Sequence, residues 1–288
     1  MKISIYFIFY CLILFHFSSC KDEDEMPNRN PVFSTLNFSF KFDSLQDRLD
    51  NSGMLSSIPG NHRALSPKNP GFRIGYIELL SDPSTPAGYG VRIFGTGQVS
   101  NSFDTGYPCC QGVIDENENF STPYLALQDP TTFNWMRIYF TYTHFDIDYK
   151  INGSPYETSV SGFLAEKSLT YYFEIRDSVY SEYSTKINGE WYLEADTPGY
   201  GVVLHGSAFT ASPNILYNTV PTPSNSCVVT CAIDPPLFFD HPDNKTITIS
   251  LSTNKSFEWI ENSDPDFFEP FNGDTIYDFG IRGIKVTQ

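Results

Sequence analysis

Residues 135–151 read Trp-Met-Arg-Ile-Tyr-Phe-Thr-Tyr-Thr-His-Phe-Asp-Ile-Asp-Tyr-Lys-Ile, and the recurrence of apolar side chains along them decides the fold. Up to Tyr142 they occupy even positions (Met136, Ile138, Phe140, Tyr142), and from Phe145 they occupy odd ones (Phe145, Ile147, Tyr149, Ile151). A period of two is that of a β-strand with one buried face. A one-residue slip reverses every side chain, so a β-bulge or bend near Thr143-His144 is expected to return both sets to one core. Past the bend, His144, Asp146 and Asp148 share the other face. They form either a small metal- or sugar-binding edge or an ordinary solvated strand face.

The same period runs through Leu36, Phe38, Phe40 and Phe42, and a further strand spans Arg73 to Leu80. Between them, residues 44–70 carry Asn51-Ser52-Gly53, Pro59-Gly60 and Pro67 to Pro70. They read as an irregular excursion with at most one helical turn, near Leu45 to Leu49. Asn152-Gly153, Asn188-Gly189 and Asn272-Gly273 each suit a type I' hairpin, which needs positive φ at both central residues. No stretch sustains the three-and-four spacing of a helix. The expected fold is therefore all-β, with little helix: an antiparallel β-sandwich, immunoglobulin-like or jelly-roll-like. An echo between Thr85-Pro86-Ala87-Gly88-Tyr89-Gly90 and Thr197-Pro198-Gly199-Tyr200-Gly201 leaves open two packed β-modules, though shared turn chemistry is the plainer explanation.

The chain opens with Met1-Lys2, an apolar run from Ile3 to Phe17, then Ser18-Ser19-Cys20 and Lys21-Asp22-Glu23-Asp24-Glu25. The run is short for a membrane span and has the shape of a secretory signal. Phe17-Ser18-Ser19-Cys20 resembles a bacterial lipobox, with Phe17 where Leu is commoner. The acidic run after it resembles the surface-export signal of Bacteroidetes-type lipoproteins. The resemblance implies a signal peptide over 1–19 and acyl chains on Cys20. It also implies a flexible acidic tether over 20–31, ahead of a β-sandwich domain over 32–288. Ser226-Cys227-Val228-Val229-Thr230, the alternating Thr246 to Thr253, Asn254 to Trp259 and Asp278 to Gly283 resemble the C-terminal ends of surface-exposed outer-membrane lipoproteins of that type. That likeness implies an outer-membrane, lipid-anchored, surface-exposed location and no particular activity. The short motifs Asp43-Ser44-Leu45, Asp177-Ser178-Val179 and Asp274-Thr275-Ile276 are similar to that group's O-glycosylation signal, which would place sugars on Ser44, Ser178 and Thr275.

With 18 basic against 34 acidic residues and a net charge of -16, nucleic acid and anionic membrane surfaces are poor partners. Beyond Cys20, four cysteines remain: Cys109, Cys110, Cys227 and Cys231. An envelope location permits disulfides. Cys227 and Cys231 stand about 13 Å apart along an extended strand, so a bridge from the Cys109-Cys110 corner to the Cys227/Cys231 region is expected. A four-thiolate copper or zinc site is the alternative, although neither pair has C-x2-C spacing. Asp264, Asp266, Glu269, Asn272 and Asp274 offer oxygen ligands at spacings that suit calcium but fit no EF-hand. An acidic hairpin loop is the plainer reading.

No G-x-S-x-G elbow, Walker loop, H-E-x-x-H or dinucleotide fingerprint occurs. The reading that follows is a lipid-anchored protein with a non-enzymatic binding or structural role and no cofactor beyond a candidate calcium ion. Its partners would be membrane lipid through Cys20 and a glycan or another envelope protein. The alternatives are a carbohydrate-binding accessory lipoprotein of a glycan-uptake system and a metal-binding lipoprotein.

Overall fold

A computed structural model describes residues 33–94, 119–125, 131–165, 171–175, 178–182, 188–197, 200–213, 226–239, 244–263 and 266–288. Residues 1–19, the tether with Cys20, Cys109, Cys110 and Asp264 lie outside these. The described residues form seventeen strands and one 3-10 turn at Pro270–Asn272.

The 21-residue β6 (Thr131–Ile151) is the hub. One edge pairs from Trp135 to Asp146 with β3 (Lys68–Leu80), whose far side carries β4 (Val91–Phe94). The other edge is shared, its first half by β13 (Cys227–Phe239) and its second half by β7 (Ser154–Phe163). Beyond β7 lie β10 (Glu190–Thr197) and the edge strand β11 (Tyr200–Ser207). Beyond β13 the sheet continues through β17 (Ile284–Thr287), β14 (Asn244–Ser252), β1 (Phe33–Asp43) and β5 (Asn119–Leu125). A second sheet runs β12 (Phe209–Ala211), β16 (Thr275–Gly280), β15 (Phe257–Ile260), β2 (His62–Leu65), and β8 (Tyr171–Ile175) pairs with β9 (Ser178–Glu182).

The all-β, sandwich-like expectation holds, with the sheets mixed rather than purely antiparallel: β1 with β14, β13 with β17 and β12 with β16 run parallel. Strands so far apart in sequence are joined by long crossovers, which allow parallel pairing where a tight hairpin does not. Strand β2 falls inside the excursion that the sequence reads as irregular.

The register switch in β6 is real and sits slightly earlier than Thr143. Arg73 pairs with Tyr142 and Ile74 with Phe140, which skips Thr141; Tyr76 then pairs with Tyr139, which skips Gly75. A Cβ on Gly75 would stand 2.4 Å from the Tyr139 ring, so the second irregularity needs glycine. As a result Met136, Ile138 and Phe140 share one core with Phe145, Ile147, Tyr149 and Ile151. Tyr142 moves to the other face, where it stacks edge-on against Phe163 and hydrogen-bonds Ser161 at 2.8 Å.

The same core takes Leu36, Phe38 and Phe40 of β1, Ile247, Ile249 and Leu251 of β14, and Phe257, Trp259 and Phe279 of the second sheet. One core therefore serves all these strands, which favours one module over two. The sheets meet tightly where a Cβ on Gly162 would stand 2.2 Å from Phe279. Of the three Asn-Gly pairs, only Asn152-Gly153 has both residues at positive φ, 51° and 78°, and it closes the β6–β7 hairpin. Gly189 leads into β10, and Gly273 ends the 3-10 turn in the longer β15–β16 connection.

Candidate functional site

The chemistry of the described residues concentrates around the loop at 44–56. Asp43 opens it by accepting the Leu45 and Gln46 amides (2.8 and 3.1 Å). Asp50 orders its tip by accepting Ser52 Oγ at 2.6 Å and the Ser52 and Met54 amides, which keep its carboxyl below the usual range, the Ser52 hydroxyl foremost. The loop faces two ways.

On one side Arg48 reaches a buried charge cluster on the second sheet. Phe257, Trp259 and Phe279 point into the core, so the alternate residues Glu258 and Asp278 point the other way, under the loop. Glu258 meets His62 Nδ1 through Oε1 (2.6 Å) and Arg48 and Arg282 through Oε2, the latter at 3.2 Å. Asp278 accepts Arg282 Nη2 at 3.2 Å and the Ala211 amide at 3.0 Å. Arg48 also donates to Ser56 Oγ (2.6 Å) and Lys255 O (3.3 Å). Burial, and next the neighbouring Arg282, hold the Arg48 guanidinium below its ordinary pKa. Burial pushes the Asp278 carboxyl up to about 7, with Arg282 pulling down and Glu258 pushing up. Against this cluster lies a tilted aromatic row: His62 on Tyr277 (4.3 Å) and Tyr277 on Phe209 (5.2 Å), the last 64% exposed.

On its other side the loop contributes Leu49 and Gly53 to a pocket of about 360 Å3. Its walls come from Thr230, Cys231 and Ala232 of β13 and from Ile284 and Val286 of β17. That volume suits a small ligand or a short chain segment. Asp234 and Lys285 stand at its rim, exposed.

The residues singled out from sequence are placed as follows. Asp146 accepts Asn69 Nδ2 (2.8 Å) and Ser159 Oγ (2.5 Å), and Asp148 shares Lys68 with Glu157 (2.8 and 2.7 Å). With His144 they form a cross-strand ladder of polar side chains on a half-exposed strand face. The oxygens of Asp274 are engaged within the protein: Oδ1 accepts the Asn262 amide, and Oδ2 accepts the Glu269 amide and Ser263 Oγ. Asp274 thereby shapes the loop; Glu269 is buried, while Asp266 and Asn272 are exposed. Among the described residues no three His, Cys, Asp or Glu side chains converge as a metal site would require. Ser44 and Thr275 are exposed, and the side chain of Ser178 lies outside the described residues.

Cys227 and Cys231 are free thiols, and the bridge expected from them is not formed. Both lie on the core face of β13, where burial pushes the Cys227 thiol up to about 12 and raises that of Cys231 as well. A disulfide would have to reach Cys227, which is fully buried, through packed side chains. Cys109 and Cys110 lie outside the described residues.

The sequence reading missed Arg48, Glu258, Asp278 and Arg282. One signal was there: Glu258 stands between the core aromatics Phe257 and Trp259, and Asp278 beside Phe279. No helix among the described residues is long and apolar enough to cross a membrane. No protein-family model matches the chain, and no curated protein or solved structure matches it either.

Proposed function

We propose that this chain is a lipid-anchored protein of the outer membrane, exposed at the cell surface, whose β-sandwich body binds a ligand without transforming it. The observation that carries the binding role is the pocket between β13 and β17. Its walls are largely backbone and apolar side chains, with Thr230, Thr287, Asp234 and Lys285 as the polar groups around it, and burial keeps the Cys231 thiol protonated. Support for the anchor comes from Phe17-Ser18-Ser19-Cys20 and the acidic run that follows. A chain of net charge -16 is repelled by anionic headgroups, so attachment rests on the acyl chains, and two or three of these hold a protein where one does not.

Cell fractionation tests the anchor. Cys20→Ala should release the protein from the membrane fraction, and deleting residues 22–25 should leave it anchored but protected from added protease. A Cys20→Ala protein that stays in the membrane refutes the anchor. The aromatic row ending at exposed Phe209 favours glycan binding as a second reading. Glycan-array binding lost on Phe209→Ala would decide for it.

A further inference from the structure

We propose that the pocket between β13 and β17 is a slot for an extended peptide, which enters as an added strand; this deepens the binding role proposed above and rests on it. The argument starts from which backbone groups face the gap. Gly283 O accepts the Ser252 amide on the β14 side. Backbone groups alternate along a strand, so Ile284 and Val286 turn theirs toward β13. Val286 pairs there with Ile233, and Asp234 with Thr287, and the parallel ladder ends with these two pairs.

In a parallel ladder a residue bonds the two neighbours of its partner, so Val286 engages Ala232 and Asp234. The alternation then turns Thr230 and Val228 to the same side. The Val228 carbonyl accepts Ser212 Oγ at 3.4 Å, from the segment that follows β12. Where the ladder stops, the strands part and the pocket opens. Among the described residues, the Ala232 N–H, both backbone groups of Thr230 and both of Ile284 have no ladder partner on its walls. Two facing strand edges with unpaired donors and acceptors are complementary to an extended peptide backbone.

The chain itself supplies the first such contact. Arg282, whose N–H is spent on Ser252 O of β14, gives its carbonyl to the Leu49 amide at 2.7 Å, and Leu49 lines the same pocket. The loop at 44–56 thus closes one end as an incoming strand would. Thr230 to Ala232 span about 7 Å of strand, room for two or three residues. The apolar wall of Cys231, Val286 and Pro213 selects small apolar side chains on one face. The net charge of -16 favours a cationic peptide over an anionic one.

The test titrates the full-length chain, in detergent micelles, with blocked tetrapeptides alternating valine with lysine or threonine. Each is compared with a version N-methylated at its central amides, which keeps the side chains and removes the donors. Binding at up to millimolar peptide is expected, weakened at least about tenfold by N-methylation, since each 1.4 kcal/mol is a factor of ten. Ala232→Trp adds a side chain at an exposed position on the pocket wall and should abolish binding while leaving the melting temperature unchanged. If N-methylated and unmodified peptides bind equally, strand addition is refuted and the pocket remains a binding site of another kind. Absence of binding by every peptide overturns the proposal. Binding that survives in a folded Ala232→Trp protein refutes the pocket as the site and the binding role read from it.

Discussion

Glu78 and Glu258 are both buried, 0% and 3% exposed, and both face arginine, yet they are held in different ways. Glu78 on β3 stands directly across from Arg137 on β6, and the strand register alone brings them to 3.3 Å. Arg92 approaches its other oxygen only to 3.8 Å, and that oxygen makes no hydrogen bond. Burial raises the Glu78 pKa, against the Gly88 amide and the two arginines, which pull it down. Glu258 is fully engaged by Arg48, His62 and Arg282, which lie 210, 196 and 24 residues away. A pair between register neighbours restrains strands that the sheet already restrains. A carboxylate gripped from three segments fixes a loop to the body, here the loop that also closes the pocket.

The largest effect should therefore come from Glu258→Gln. It leaves two buried guanidiniums short of a countercharge, and breaking a buried pair in this way costs about 3–5 kcal/mol. Glu78→Gln, in a pair already incompletely satisfied, should cost about 1–3 kcal/mol. Chemical denaturation of both variants decides. A larger loss at Glu78 would break the comparison.

Arg48→Met sharpens it. Glu258 keeps Arg282 and His62, so the global cost should be near 2 kcal/mol. The local consequence should be plainer: the loop loses its hold on Glu258 and Lys255 and its internal tie to Ser56, and limited proteolysis should cut between Leu45 and Leu55 before anywhere else in the described body. A variant destabilised to that extent but no more readily cut in the loop would show that Leu49, bonded to Arg282, holds the loop without Arg48.

Why the sequence announced one cluster's framework and hid the other follows from the same contrast. The alternation along β6 and β1 is local, and it located the core face of both strands and a bulge within a few residues of its place. The bulge falls at Thr141 because Gly75 lets the opposing strand slip under the Tyr139 ring, a tertiary contact that no period reports. Parallel pairing was not legible, since parallel and antiparallel strands share a period of two. Two of the Asn-Gly pairs failed as tight hairpins because their flanking strands belong to longer connections or to different partners. The cluster at Glu258 depends on contacts about 200 residues apart in sequence, and on a sheet whose polar face is roofed by a loop. Alternation alone reads such a face as wet. The pocket is still less legible, for it exists where two strands fail to pair.

The smallest effect is the most specific, and it concerns Asp278. Burial pushes its carboxyl up to about 7 from an ordinary 3.8, and the groups facing it are Arg282, Arg48 and Glu258, with His62 behind Glu258. Between about pH 4 and 7 the folded state holds a proton on Asp278 that the unfolded chain has released. Its contribution is thus fully present at low pH and is lost as the pH rises through 7. Asp278→Asn removes the titration while keeping an oxygen for the Ala211 amide. Relative to wild type, the Asn protein should gain in melting temperature on going from pH 5 to pH 8, by about 2 °C or more for each kcal/mol involved. The same pair of melts made with Glu258→Gln as background should narrow the gap, because Glu258 is one of the charges pushing Asp278 up. A gap that does not change with pH would mean that Arg282 prevails over burial and that Asp278 is ionised in the folded state throughout. Arg282 would then neutralise two carboxylates at once, and the hold on the loop would rest on Arg48 and His62.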